Sequence, residues 1–320
     1  MALSHGVPDG PDVPIVGQVA LKALALSEAA TSKVIFCLAL SLAIFRSSGT
    51  GGKKKRGLGP GWRKPQTVLV TGSSGGIGLE LVRQLASRGD KVFATCRRRE
   101  SSATGVDALS EVAKSGDVTI VEGIDVTSDG VQTALASKLS GVQLDLVIHN
   151  AGGIAKDTSN AGPGVMADQS LANVSTERML GAFQLNTLGP LRVQQALASQ
   201  MASPGGKVCV IGTGMGSIGD NGSGGLHAYR CSKAAAHMLA KGMACDLKSK
   251  DIAVVAVNPG LVLTDFGPGS AVLTKMGAMP VKRSCAGLIK VCDNLTMDTT
   301  GRFMTVPADG STPTEFPGGW

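Results

Sequence analysis

The chain has 320 residues, 43% of them apolar, and a net charge of +7, which is length and hydrophobicity enough for a sizeable packed core. The charge is uneven: residues 1 to 66 hold nine Lys/Arg against three acids, a net of +6, which leaves residues 67 to 320 at +1. A body so nearly neutral is excluded from the polyanion binders, and no nucleic-acid partner is expected.

Residues 1–65 read as an extension, because Pro8, Pro11 and Pro14 precede an apolar run, "VIFCLALSLAIF" (Val34 to Phe45), that is followed by Lys53-Lys54-Lys55-Arg56. That run falls short of the roughly 20 apolar residues needed to cross a bilayer, so no stable membrane span is expected. Few acids, several serines and late basic residues suit an organelle address, plastid or mitochondrion. The alternative is a disordered, uncleaved extension on a cytoplasmic protein.

From Gln66 the pattern changes. "TVLVTG" reads as a buried strand that ends in a glycine turn, and further strands are expected in "KVFATC" (Lys91 to Cys96), "VTIVEGIDV" (Val118 to Val126), "LDLVIHNAG" (Leu144 to Gly152), "KVCVIGTG" (Lys207 to Gly214) and "IAVVAVNPG" (Ile252 to Gly260). Helix-period segments such as "IGLELVRQLASRG", "VQTALASKLS" and "LGPLRVQQALASQMAS" lie between them. Apolar strands alternating with helices imply one α/β domain over 66–320, a doubly wound parallel sheet with helices on both faces.

Between the first strand and its helix, Gly72, Gly76 and Gly78 give a T-G-x-x-x-G-x-G loop. Gly72 suits the tight turn, Gly76 a close approach of backbone to a pyrophosphate at the helix N-terminus, and Gly78 the packing of helix on strand. The next strand ends in Arg97, Arg98 and Arg99 where an acid would suit a free ribose hydroxyl. A guanidinium suits a 2′-phosphate, so NADP(H) is preferred over NAD(H).

The chain has one tyrosine, in "GLHAYRCSKAAA". Tyr229 and Lys233 are four apart, so on a helix they share a face, and the ammonium is expected to lower the phenol pKa and make the pair a general acid/base. The seven cysteines form no C-x-x-C pair and no Cys/His cluster with zinc spacing. They read as buried or half-buried free thiols in a reducing compartment, and no metal is expected.

With these motifs in order, the chain resembles the short-chain dehydrogenases/reductases over roughly 66–320, and within them the C-factor-like carbonyl reductase branch. The resemblance is carried by "TGSSGGIG" (Thr71 to Gly78), "DV" (Asp125, Val126), "HNAGG" (His149 to Gly153), "LNTLGP" (Leu185 to Pro190), "YRCSK" (Tyr229 to Lys233), "NPGLVLTD" (Asn258 to Asp265) and the tail "TGRFMTVPADGSTPTEFPGGW". It implies a Rossmann-type fold and an NADP(H)-dependent oxidoreductase that interconverts an aldehyde or ketone with an alcohol. It further implies Tyr229 as proton donor, Lys233 as holder of the nicotinamide ribose, and Asn186 as anchor of a water beside that lysine. Gly72, Ser74, Gly76, Ile77, Gly78, Arg97, Asp125, Val126, Asn150, Ala151, Gly152, Pro259, Gly260 and Thr264 would line the cofactor cleft, and a homo-oligomer, dimer or tetramer, is implied.

Two positions depart from the family, the lesser being His149, where the family often has asparagine. The serine expected after the fifth strand is replaced in "VIGTGMGSIGD", which offers Thr213 or, if the loop folds back, Ser217. That change leaves open a catalytically weak or silent NADP(H)-binding sensor or scaffold. His149 reads as a strand-end packing residue, and His227 and Cys231 as neighbours of the tyrosine that line or pack. The segment from Phe266 to Leu288 is where the family builds its substrate lid.

Overall fold

The computed structural model describes residues 64–97, 103–154, 170–265 and 269–320. The extension up to residue 63, Arg98, Arg99 and the 266–268 part of the expected lid lie outside the described residues. Ten strands appear in chain order: β1 (Thr67–Val70), β2 (Lys91–Thr95), β3 (Val118–Val121), β4 (Leu146–His149), β5 (Lys207–Ile211), β6 (Ala253–Asn258), β7 (Val262–Leu263), β8 (Met279–Pro280), β9 (Arg302–Thr305) and β10 (Thr314–Glu315). The helices are α1 (Gly76–Ser87), α2 (Ala103–Lys114), α3 (Val131–Lys138), α4 (Thr176–Phe183), α5 (Gly189–Leu197), α6 (His227–Asp246), α7 (Ser270–Lys275) and α8 (Val281–Asn294). A π turn, Gln184–Leu188, joins α4 to α5.

The main sheet runs β10-β9-β6-β5-β4-β1-β2-β3. All neighbours pair in parallel except β10, which runs antiparallel to β9. β7 and β8 form a small parallel pair of their own. The third expected strand is shorter than its apolar run: it stops at Val121, and Asp125 and Val126 fall in the loop beyond.

Alternation along the strands divides the core in two. Val68, Val70, Val92, Leu146 and Ile148 face a layer built by Leu81, Val82 and Leu85 of α1 and Leu288 and Cys292 of α8. Leu69, Phe93, Val147, Val208 and Val254 face the opposite layer, with Leu135 of α3, Val193 and Leu197 of α5, and Met243 of α6. Every strand of the sheet centre is therefore buried on both sides, as a doubly wound sheet requires. Local sequence agrees at the start of α4, where the Ser175 hydroxyl accepts the Arg178 amide (3.2 Å), and Pro190, which has no N–H to give the helical ladder, follows directly on the π turn.

Four cysteines, Cys96, Cys209, Cys285 and Cys292, are buried, and the free thiol of Cys209 on β5 lies beside that of Cys292 on α8, whose proximity together with burial pushes Cys209 up. Cys231 and Cys245 on α6 are exposed, which corrects the expectation that all the thiols are at least half-buried. Among the described residues no helix is long and apolar enough to cross a membrane. Truncating Leu69, fully buried at the sheet centre, to alanine is expected to cost about 2–5 kcal/mol of stability, read as a drop in the urea midpoint.

Candidate active site

The site lies along the C-terminal edge of the sheet. The chain leaves β1 toward β2 on one side and leaves β4 toward β5 on the other, so a crevice opens where these two strands adjoin. The glycine loop crosses its mouth. Gly72 and Gly76 take φ of 68° and 51°, and a Cβ on Gly78 would stand 2.2 Å from the Gly72 carbonyl oxygen. Helix α1 then starts behind Gly75, a residue with no side chain to cap it, and Gly75 and Gly76 are exposed. The free N–H groups of that first turn are a fit for an anion. Ser74 and Ile77 flank the turn half-buried, and Thr264 stands over it, its Cγ2 3.5 Å from where a Gly76 Cβ would lie.

One hydroxyl ties the two sides of the crevice together. Thr71, buried, accepts the backbone N–H of Asn150 (3.0 Å) and of Ala151 (2.9 Å). The Asn150 side chain returns two bonds, from Nδ2 to the carbonyls of Thr71 (2.9 Å) and Gly72 (3.1 Å). At the far end, Asp125 is half-buried and its Oδ1 accepts the Thr127 amide and hydroxyl (2.9 and 2.7 Å). Burial pushes the Asp125 carboxyl up, but these two bonds and the charge of Arg97 outweigh it, and the net direction is down. Val126 is buried beside it and Arg97 is exposed. On the other flank Pro259 is buried, its carbonyl accepting the Ser284 hydroxyl (2.8 Å), and Gly260 turns with φ 79°.

Helix α6 brings Tyr229 and Lys233 to the crevice on one face, both less than a tenth exposed. The Thr213 hydroxyl accepts the Met215 amide (3.3 Å) and is near enough to the Tyr229 phenol to act downward on its pKa. Lys233 Nζ donates to the Ile211 carbonyl (2.8 Å). A Cβ on Gly152 would meet Asn186 Oδ1 at 2.9 Å and Lys233 Nζ at 3.2 Å, so lysine, asparagine and the strand-end backbone converge on one spot. Asn186, in the π turn, is fully engaged: Oδ1 accepts the Gly153 amide (2.9 Å), and Nδ2 donates to the Gly153 carbonyl (2.8 Å) and to Ser232 Oγ (3.0 Å).

Two expectations need adjustment. The phenol was expected to be lowered by Lys233; instead burial pushes Tyr229 up to about 12, with the Thr213 hydroxyl acting downward, and burial brings Lys233 down to about 8. Ser217, the rival hydroxyl, faces away from the phenol: it donates toward the Gly318 carbonyl (3.0 Å), with the Trp320 carbonyl at 3.3 Å, and accepts the Asp220 amide (3.2 Å). His149 is buried against Gln194 (3.0 Å), and burial takes it down to about 4. His227 is half-buried and Cys231 exposed. The residue that sequence reasoning passed over is His237, four beyond Lys233 on the same helix face, whose ring reaches the Thr213 amide. Its spacing from Tyr229 and Lys233 was the available signal.

A family model described as short chain dehydrogenase matches residues 66–270, and the chain belongs to that family of oxidoreductases. A 1-hydroxy-2-glutathionyl-2-methyl-3-butene dehydrogenase from Rhodococcus sp. is 37% identical over 242 residues, 74% of this chain and 95% of that protein. The C-signal protein of Myxococcus xanthus is 36% identical over 135 residues, 42% of this chain and 78% of that protein. Among solved structures, an NADPH-bound carbonyl reductase from chicken fatty liver is similar with a TM-score of 0.65 and 30% identity, covering 79% of this chain and all of that one. A short-chain dehydrogenase/reductase from Burkholderia multivorans with bound NADP gives 0.63 and 29%, over 78% of this chain and 98% of that one.

Two titrations check the electrostatics. His149 and His237 both fall from 6.5 to about 4, so the unfolded chain binds more protons between those values and stability falls as the pH drops through that window. Each is expected to remove about 2 kcal/mol between about pH 7 and about pH 5, read by urea unfolding, with His149→Asn losing one share of that slope. Tyr229, the chain's one phenol, is expected to give almost no tyrosinate absorbance at about pH 10, where a free phenol is half-ionised.

Proposed function

We propose that the protein is an NADP(H)-dependent reductase of an aldehyde or ketone, able to run in reverse on the alcohol, with Tyr229 as general acid/base. The observation that carries this reading is the burial of Tyr229 and Lys233 one turn apart on the same helix face, with Thr213 near enough to act on the phenol. When bound, the nicotinamide supplies the hydride; the protein supplies position and a proton. A phenol held near 12 keeps its proton until a carbonyl oxygen gathers negative charge next to it, and then donates it. Lys233, near 8, is still mostly ammonium at neutral pH, and its charge, one helical turn from the phenol, would favour the phenolate left behind. Thr213 would orient the carbonyl oxygen in the place of the family's serine. Gly72, Ser74, Gly76, Ile77 and Gly78 would hold the pyrophosphate, Asn150, Ala151, Gly152, Pro259, Gly260 and Thr264 the nicotinamide half, and Asp125 and Val126 the adenine.

The exposed Arg97 guanidinium, close enough to act on Asp125, supports a 2′-phosphate and hence NADP(H) over NAD(H). The NADPH and NADP in the chicken and Burkholderia structures support the same choice. Exposed Leu180 and Phe183 on α4 and Met238 on α6, two helices packed together, support a homo-oligomer. An organelle address in residues 1–65 is part of the proposal. A silent NADP(H)-binding protein is disfavoured by Thr213, because the hydroxyl lost with the serine is supplied at the phenol by the threonine.

The test is NADPH consumption against a panel of aldehydes and ketones. Tyr229→Phe is expected to lower kcat by about 10²–10⁴-fold while NADPH binding persists, and Thr213→Ser to remain active. Tight NADPH binding with no carbonyl turnover would favour the silent protein instead.

A further inference from the structure

Around Thr213 the sequence alternates glycine with larger residues, "GTGMG" from Gly212 to Gly216, and the structure uses all three glycines as clearance for rings. A Cβ on Gly212 would stand 2.5 Å from His237 Nε2 and 3.2 Å from the Phe303 ring. One on Gly216 would stand 2.7 Å from His237 Cε1, and one on Gly214 2.9 Å from the Phe316 ring. The loop backbone is therefore pressed directly onto a cluster of aromatic side chains drawn from α6, β9 and the segment after β10.

Within the cluster His237 lies 4.3 Å from Phe303 and 6.0 Å from Trp320, centroid to centroid. Phe303 in turn lies 4.8 Å from Phe316 and 5.6 Å from Trp320. His237 is 2% exposed, and its Nε2 accepts the Thr213 backbone N–H at 3.3 Å. An accepting Nε2 leaves the ring proton on Nδ1. Burial first and the Lys233 charge second depress the imidazole to about 4, with the Gly216 backbone acting upward, so the ring stays neutral and able to accept near neutral pH. The far end of the loop is held from the same side: the Ile218 amide donates to the Trp320 carbonyl (3.1 Å) and the Ser217 hydroxyl toward the Gly318 carbonyl.

We propose that His237 is a positioning residue for the Thr213 hydroxyl: its Nε2 holds the Thr213 amide, and Phe303 and Trp320 hold its ring, so that the segment 316–320 sets where that hydroxyl meets the Tyr229 phenol. The proposal rests on the reading of Thr213 as the group that orients the carbonyl. Misplacing such a group by about 1 Å costs on the order of 10²-fold in rate, and the register of the 316–320 segment is thereby part of the active-site geometry.

The experiment compares His237→Phe, which keeps a ring and loses the acceptor, with His237→Gln, whose Oε1 falls near the lost Nε2, and with Trp320→Ala, Thr213→Val and the double variant Thr213→Val/His237→Phe. Steady-state reduction of a carbonyl turned over by the unaltered protein is read beside the NADPH Kd and the absorbance titration of the one tyrosine. The expected result is a loss of about 10–100-fold in kcat for His237→Phe, with the NADPH Kd within about twofold and kcat largely restored in His237→Gln. Trp320→Ala loses less, in the same direction. The double variant is no slower than Thr213→Val alone, since two residues acting through one group do not add. The Tyr229 titration, which needs no turnover, moves upward in Thr213→Val and His237→Phe and stays in place in His237→Gln. Losses that add in the double variant, an NADPH Kd that weakens in step with kcat, or a His237→Phe protein with unaltered kcat and titration each overturn the proposal. If Thr213→Val itself changes neither kcat nor the titration, the orienting role of Thr213 fails and His237 falls with it; if only Thr213→Val has an effect, the His237 proposal fails alone.

Discussion

Seven strands that run the same way deliver seven chain ends to one edge, and both faces of the sheet are already sealed by helices. Polar groups that must meet a ligand have nowhere else to be. The glycine loop after β1, the Asp125 loop after β3, the Asn150 loop after β4, Thr213 after β5 and Pro259 after β6 all sit on that edge for the same topological reason. The Thr71 hydroxyl makes the arrangement rigid at its centre, because two amides of the β4 loop depend on a single oxygen of the β1 turn. A crevice held in this way is formed by the backbone, and the side chains that line it are carried along.

Burial then decides the chemistry of what stands in the crevice. Tyr229, Lys233 and His237 occupy successive turns of one face of α6, and desolvation disfavours the charged form of each. A phenol moves up and an ammonium and an imidazole move down. Near neutral pH the phenol and the imidazole are thus held neutral and the ammonium is weakened without losing its charge, while the single hydroxyl of Thr213 acts against that trend at the phenol.

Much of this was legible in the sequence and some of it was not, and the boundary is physical. β1, β2, β4, β5 and β6 are apolar in all but their end residues, so a short window suffices to see them, and the Tyr229/Lys233 pair and the glycine loop announce themselves by spacing. The sign of the Tyr229 shift was misjudged because spacing reveals a neighbouring charge and says nothing about how much water has been removed. The sequence favours Thr213 over Ser217 without excluding the serine, since what occupies Ser217 is the segment around Gly318, about a hundred residues further on. His237 is less legible for a related reason: its spacing from Lys233 marks a shared helix face, but Thr213, Phe303 and Trp320 reach it only through the tertiary fold.

The distribution of thiols has a consequence of another kind. Of the six described cysteines, Cys231 and Cys245 face outward from one helix, whereas Cys96 closes the end of β2 and Cys209 meets Cys292 across the join of β5 and α8. An alkylating reagent therefore meets two populations, one open at once and one reached only when layers part. The second population works as an internal clock: modification at Cys209 and Cys292 times the lifting of α8 from the sheet, and modification at Cys96 times the loosening of the edge that holds Asp125, so the order in which they react reads out which layer yields first.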